Sequence, residues 1–156
     1  MDGAVVLSRD EKICATLGFV FTPDFQQVLL IRKRRPNWQA GKINGVGGKT
    51  EPGESPRACI SREMQEESGL VISPELWQKI TVLRWDVWEV EVFASVYVGK
   101  QTDVVTLTDE EVTWFPATAL PAEVMSNLRW LIPLSVDVLT NPTPPVVAAV
   151  EYPPEN

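Results

Sequence analysis

Between Gly48 and Leu70 the chain sets Glu54, Arg62, Glu63, Glu66 and Glu67 at fixed spacing across a loop and a helix. Ser55 is a good N-cap residue, Pro56 suits the first helical position and Gly69 can take the left-handed conformation that ends a helix, so the spacing predicts a helix over Pro56–Ser68. At roughly 100° per residue, Glu63, Glu66 and Glu67 fall within an arc of about 100°, with Arg62 beside it and Ile60 and Met64 on a neighbouring apolar stripe. Three carboxylates on one patch repel by a few tenths of a kcal/mol per exposed pair, roughly, and Arg62 to Glu66 is the one obvious internal compensation. A bound divalent cation would remove that conflict. Oxygen-only ligands favour magnesium or manganese, and magnesium keeps several waters and completes its shell with substrate phosphate.

Composition narrows the chemistry further. The 156 residues include no histidine, which excludes Ser-His-Asp triads, Cys-His pairs and histidine zinc sites within one chain. Carboxylates must therefore bind metal and move protons. The length and a hydrophobic content of 44% predict one globular domain with a single substantial core. Cys14 and Cys59 form no CxxC pair and read as reduced thiols, which points to the cytoplasm. No basic-then-apolar leader stands at the N-terminus, and no apolar run reaches the roughly 18 residues a membrane span needs, so no membrane partner is expected.

The net charge of −7 is unevenly distributed. Phe25–Thr50 carries Arg32, Lys33, Arg34, Arg35, Lys42 and Lys49 and no acid, whereas Gln101–Leu128 carries Asp103, Asp109, Glu110, Glu111 and Glu123 and no base. An acidic chain is a poor binder of duplex nucleic acid, so the basic segment reads as a cradle for a small polyphosphate, with Lys33, Arg34 and Lys49 as candidates, or as a charged strand edge that resists aggregation.

The elements that must position these residues follow from periodicity. Ile13–Phe21 and Gln27–Ile31 read as a hairpin around Thr22-Pro23-Asp24, and Ile43–Val46 as a short strand entering the acidic segment. Lys79–Arg84, Glu89–Val98 and Val112–Phe115 read as further strands, and Ala122–Leu139 as a second helix bent or interrupted at Pro133. Residues 1–140 are expected to form the domain. Residues 141–156, with five prolines, read as a mobile tail or a strap over the surface. The order of strands, helix, strands, helix predicts an α/β fold with a mixed sheet covered by helices.

Gly48, Glu54, Arg62, Glu63, Met64, Glu66, Glu67, Gly69 and Leu70 fill every defined position of G-x5-E-x7-R-E-U-x-E-E-x-G-U, where U is apolar. The segment thus resembles the signature box of the Nudix hydrolases, over a span of the chain from about residue 10 to 140. That resemblance implies an α/β/α sandwich, metal binding by Glu63, Glu66 and Glu67 with the Gly48 carbonyl, and a steering role for Arg62. It also implies hydrolysis of a phosphoanhydride in a nucleoside diphosphate derivative. Glu63 is the first choice of general base, and Glu110 or Glu111 is an alternative from outside the box unless both are simply exposed loop acids.

The segment WQAGKINGVGGK is similar to the corresponding region of MutT-type diphosphatases, which convert nucleoside triphosphates, including oxidised purines such as 8-oxo-dGTP, to monophosphate and pyrophosphate. On that resemblance Asn44 hydrogen-bonds the base and Trp38 lines its pocket, with Trp88 and Trp130 as further wall candidates. Where vertebrate-type relatives carry paired aspartates, Ser126 and Asn127 stand here, and Asn127 joins the candidates for base contact. Hydrolysis of ADP-ribose, nucleotide sugars or dinucleoside polyphosphates is the alternative, and a non-catalytic nucleotide- or protein-binding module is a second. The expected partner is a small nucleotide, and the expected assembly a monomer or homodimer.

Overall fold

A computed structural model describes residues 11–154; the first ten residues of the expected domain and the last two of the proline-rich segment lie outside the described residues. In chain order the elements are β1 (Ile13–Phe21), β2 (Gln27–Arg32), β3 (Ile43–Asn44), β4 (Val46–Lys49), α1 (Pro56–Ser68), β5 (Gln78–Trp85), β6 (Trp88–Val96), β7 (Val112–Pro116), α2 (Leu128–Thr140) and β8 (Val150–Glu151). One mixed sheet runs β3-β2-β1-β6-β5-β8, with β4 also on β1 and β7 also on β2. The pairs β1–β6 and β5–β8 are parallel and the others antiparallel.

Alternation along the strands divides the core into two layers. Phe19 and Phe21 of β1, Val28 and Leu30 of β2 and Val92 and Ala94 of β6 pack with Leu128, Leu131 and Ile132 of α2. Val20, Leu29, Ile31 and Phe93 point the other way and pack with Ile60 and Met64 of α1. The sheet is thus sandwiched between two helices, as expected. Burial on both faces explains why Val28–Ile31 is continuously apolar rather than alternating.

Helix α1 has the expected bounds, because its signals are local. The Ser55 hydroxyl accepts from the Ala58 N–H at 3.1 Å, and Gly69 ends the helix at φ 77°. Its docking needs a glycine on the sheet: a Cβ at Gly18 would lie 2.5 Å from the Ile60 Cδ1.

Two elements differ from expectation, each through a non-local or side-chain partner. Ile43–Val46 is not one strand, because the Asn44 side chain takes the Gly45 N–H at 2.8 Å and the chain shifts there from pairing with β2 to pairing with β1. The second helix starts at Leu128 rather than Ala122. Residues ahead of it are drawn onto β3 instead, with the Ile43 N–H donating to the Glu123 carbonyl at 3.0 Å and the Met125 N–H to the Ile43 carbonyl at 2.8 Å. Pro133 lies inside α2 without interrupting it. Near the chain's end, Val150 and Glu151 return to pair with Leu83 and Arg84.

Candidate active site

Arg62 organises the acidic segment. Its Nε and Nη2 donate to the two carboxylate oxygens of Glu54 at 2.8 and 3.0 Å, its Nη1 donates to Glu63 at 3.0 Å and to Glu66 at 3.2 Å, and Nη2 also reaches the Lys49 carbonyl at 3.2 Å. The paired hydrogen bonds from Arg62, helped by the Glu51 N–H, hold the Glu54 carboxyl down at about 2. Glu63 behaves oppositely. Burial raises its pKa, Arg62 opposes the rise, and the charges of Glu66 and Glu67 add to it.

Glu63 packs directly on Gly48, where any Cβ would collide with its carboxylate. Glu67 accepts from the Thr108 hydroxyl at 3.1 Å, which ties α1 to the loop before β7. Glu66 projects to solvent beyond Arg62, its side chain 55% exposed. Among the described residues, no three acidic or cysteine side chains converge as a ready-made metal cluster. The donor set nevertheless suits a hard cation: three carboxylates stand on one helix, and one of them, Glu63, is partly desolvated and packed on Gly48.

The same glycine borders a cavity of about 840 Å³, which Lys49, Asn44, Trp38, Trp85, Trp88 and Met125 line with residues of β1. Asn44 braces its own loop through the Gly45 N–H and donates to the Gln39 side chain at 3.1 Å. One amide N–H is then left for a ligand. The Lys49 ammonium lies 5.5 Å from the centre of the Trp88 ring, and Trp88 stacks on Trp85 at 5.9 Å and 13°.

The structure separates the other sequence candidates. Lys33 and Asn127 join Trp38, Asn44, Lys49 and Trp88 around this cavity, but the Lys33 ammonium is paired with Glu110 at 3.1 Å. Arg34 does not reach the cavity. It borders a shallow depression with Asp109 and Glu111 instead, because its N–H is held by Glu110 at 2.7 Å. Trp130 is not among the cavity walls either, since α2 turns it partly to solvent. Glu110 is not an exposed loop acid: it is buried, and burial alone would raise its pKa, but the Arg34 N–H and Lys33 bring the net shift below the ordinary value. Its carboxylate holds the basic loop in place. Glu111 is exposed.

A family model described as the NUDIX domain matches residues 13–134, which spans both faces of the sandwich, the acidic box and most of the cavity wall. The chain belongs to the Nudix family. It is 27% identical over 150 residues, 92% of its length, to an 8-oxo-dGDP phosphatase of Homo sapiens, of which the match covers 45%. It is 32% identical over 109 residues, 67% of its length, to an NAD-capped RNA hydrolase of Stutzerimonas stutzeri, of which the match covers 39%. This Nudix chain therefore spans less than half the length of either curated relative. Among solved structures, a NUDIX hydrolase of Nitrosomonas europaea superposes with a TM-score of 0.71 at 14% identity, covering 93% of this chain and 82% of that one; at that identity the likeness shows the fold.

Sequence reasoning about this Nudix chain missed Trp85, Met125, Gln39 and Arg35, all of which line the cavity. Trp85 was within reach. Two tryptophans flanking the two-residue turn Asp86–Val87 must face each other as a cross-strand pair, and Trp85 and Trp88 do. Met125 carried no such signal, because its place depends on the backbone bonds to Ile43.

Proposed function

We propose that this chain is a magnesium-dependent pyrophosphohydrolase that cleaves a purine nucleoside triphosphate, oxidised purines such as 8-oxo-dGTP included, to nucleoside monophosphate and pyrophosphate. The observation that carries the reading is Gly48, which borders the aromatic cavity on one side and packs against the Glu63 carboxylate on the other. A base seated among Trp38, Trp85 and Trp88 would thus have its phosphates led past Lys49 to the glutamates.

Glu63, Glu66 and Glu67, with the Gly48 carbonyl, would hold Mg²⁺, or Mn²⁺ in its place. When bound, such an ion neutralises the bridging phosphates and activates water. Arg62 holds Glu63 and Glu66 by hydrogen bonds, and in this reading Glu63 would take the proton from the attacking water. Attack forms a new P–O bond, the phosphoanhydride bond breaks, and the charge leaves on the departing phosphate. Asn44 reads the purine edge with its remaining N–H, and the tryptophans stack on the ring. The relative named for 8-oxo-dGDP supports an oxidised purine ligand.

A second reading, a dinucleotide substrate, draws on an adjoining cavity of about 840 Å³ that shares Trp38, Trp85, Trp88, Met125 and Asn127 with the first. Chromatography of products from 8-oxo-dGTP, 8-oxo-dGDP, dGTP, dCTP and a dinucleoside polyphosphate, with and without magnesium, separates the two. Monophosphate and pyrophosphate from the purine triphosphates support the proposal. Release of γ-orthophosphate alone contradicts it, as does activity confined to the dinucleotide.

A further inference from the structure

Two of the three carboxylates on α1 are held from within the acidic segment, and the third is held from outside it. Arg62 donates to Glu63 and Glu66. The Glu67 carboxylate has one hydrogen-bond partner among the described residues, the Thr108 hydroxyl at 3.1 Å. That hydroxyl also accepts from the Glu110 N–H at 3.1 Å. An ionised carboxylate can only accept and a backbone N–H can only donate, so one hydroxyl satisfies both: its proton goes to Glu67 and a lone pair takes the N–H. The loop that carries Thr108 is pinned on both sides. The Val105 and Leu107 N–H groups donate to the Ser68 and Glu67 carbonyls at 3.0 and 3.4 Å, which satisfies carbonyls left open at the end of α1. The Thr106 hydroxyl accepts from the Val112 N–H at 3.1 Å and closes the loop. The Glu110 carboxylate is held in turn by the Arg34 N–H and by Lys33, and Lys33 lines the aromatic cavity. One hydrogen-bonded chain thus runs from Glu67 through Thr108 and Glu110 to the basic wall of the cavity.

A glutamate free to change rotamer loses that freedom when it takes up a ligand, whereas one already fixed has lost it on folding. Carboxylates that ligate metal ions are accordingly oriented by hydrogen bonds from a surrounding layer of residues. We propose that Thr108 is a positioning residue for the cation site: its hydroxyl holds the Glu67 carboxylate in the orientation from which it takes Mg²⁺ or Mn²⁺. The inference rests on the magnesium-dependent reading above. Thr108 bonds Glu67 through Oε2 and leaves Oε1 without a hydrogen-bond partner among the described residues, so Oε1 is the oxygen offered to the ion. Thr108 is not among the cavity walls, and Glu110 keeps its bonds to Arg34 and Lys33 without it. Its effect therefore falls on metal affinity and not on the KM for nucleotide.

Thr108→Val and Thr108→Ala remove the hydroxyl, and Thr108→Ser keeps it. Titration of each protein with Mn²⁺ in the absence of nucleotide, with free Mn²⁺ read by electron paramagnetic resonance, reports metal affinity without turnover. Kinetics on a purine nucleoside triphosphate over a magnesium series, and thermal melting without metal, accompany it. The Kd for Mn²⁺ rises at least about 10-fold in Thr108→Val and Thr108→Ala, the lower end of the range for a hydrogen bond that orients a metal ligand, and stays within about twofold of wild type in Thr108→Ser. The two hydroxyl-free variants need about 10-fold more magnesium for half-maximal turnover, while their KM for nucleotide at saturating magnesium stays within about twofold of wild type. Wild-type Mn²⁺ affinity in both variants overturns the inference, as does a loss that Thr108→Ser shares. Loss of the fold in both hydroxyl-free variants assigns the hydroxyl to loop closure and overturns it too. If the wild type neither binds Mn²⁺ nor hydrolyses the triphosphate with magnesium, the magnesium-dependent reading fails and takes the inference with it; in the other failures that reading stands.

Discussion

A guanidinium holds its donors in one rigid plane, and Arg62 uses that plane to grip Glu54 on two edges while another nitrogen faces Glu63 and Glu66. An ammonium cannot make the paired contact. Arg62→Lys should lower kcat at least about tenfold and cost about 1–3 kcal/mol of stability in a denaturant titration, the scale of hydrogen bonds to charged groups. Glu110 makes the matching point for a residue outside the box. Its folded-state pKa is lowered, the upward push of burial being outweighed by the Arg34 N–H and Lys33, so its stabilisation is complete above about pH 5 and is lost as pH falls below about 4. Glu110→Gln should therefore cost about 1.5–3 kcal/mol at pH 7, with the gap to wild type narrowing toward pH 3 in urea melts. The box residues were legible because Glu54 to Glu67 meet within one loop and helix. The role of Glu110 was not, since its partner Lys33 lies 77 positions away and a loop acid next to a strand carries no mark of burial.

At the scale of elements, the local signals were sufficient for α1 and insufficient for α2. Ser55, Pro56 and Gly69 mark both ends of α1 without help from the rest of the fold. Ahead of α2, by contrast, backbone bonds to Ile43 outweigh a helix-compatible sequence, and no pattern within residues 122–127 announces them. Gly48 shows how a strand and a helix are matched at the site: β4 carries it against α1, and the Glu63 carboxylate occupies the space a side chain would need. Gly48→Ala should displace that carboxylate and reduce kcat at least about tenfold, at a stability cost of about 1–3 kcal/mol typical of overpacking. Kinetics and thermal melting of the same sample distinguish this from simple unfolding. A variant with wild-type turnover would mean that Glu63 does not work from where the structure holds it.

Across the whole molecule, the two-layer core was readable from alternation in β1, β2 and β6, but the cavity was not readable as a unit. Its walls come from five stretches: Ala15, Thr16 and Leu17 of β1, the loop around Trp38, the β3–β4 segment from Asn44 to Lys49, the β5–β6 hairpin and the approach to α2. Sequence resemblance found one residue in most of these, and only the packed sheet brings them together. Asn44→Ala should lower kcat/KM for purine triphosphates by about 5- to 150-fold, corresponding to about 1–3 kcal/mol for an amide that loses its ligand contact; its effect on pyrimidine triphosphates should be smaller. Trp38→Ala should weaken both classes together through lost stacking. Equal losses for all nucleotides in Asn44→Ala would assign that residue to bracing Gly45 alone. The central claim, that the glutamates of α1 and the aromatic cavity form one magnesium-dependent site, is tested most directly by the turnover of Glu66→Gln and Glu67→Gln on a purine nucleoside triphosphate, with the magnesium-induced rise in melting temperature measured on the same proteins. The account predicts intact folds, turnover reduced at least about 100-fold, the scale of removing a major transition-state electrostatic contribution, and a smaller magnesium shift than in wild type. Wild-type turnover in both variants would contradict it.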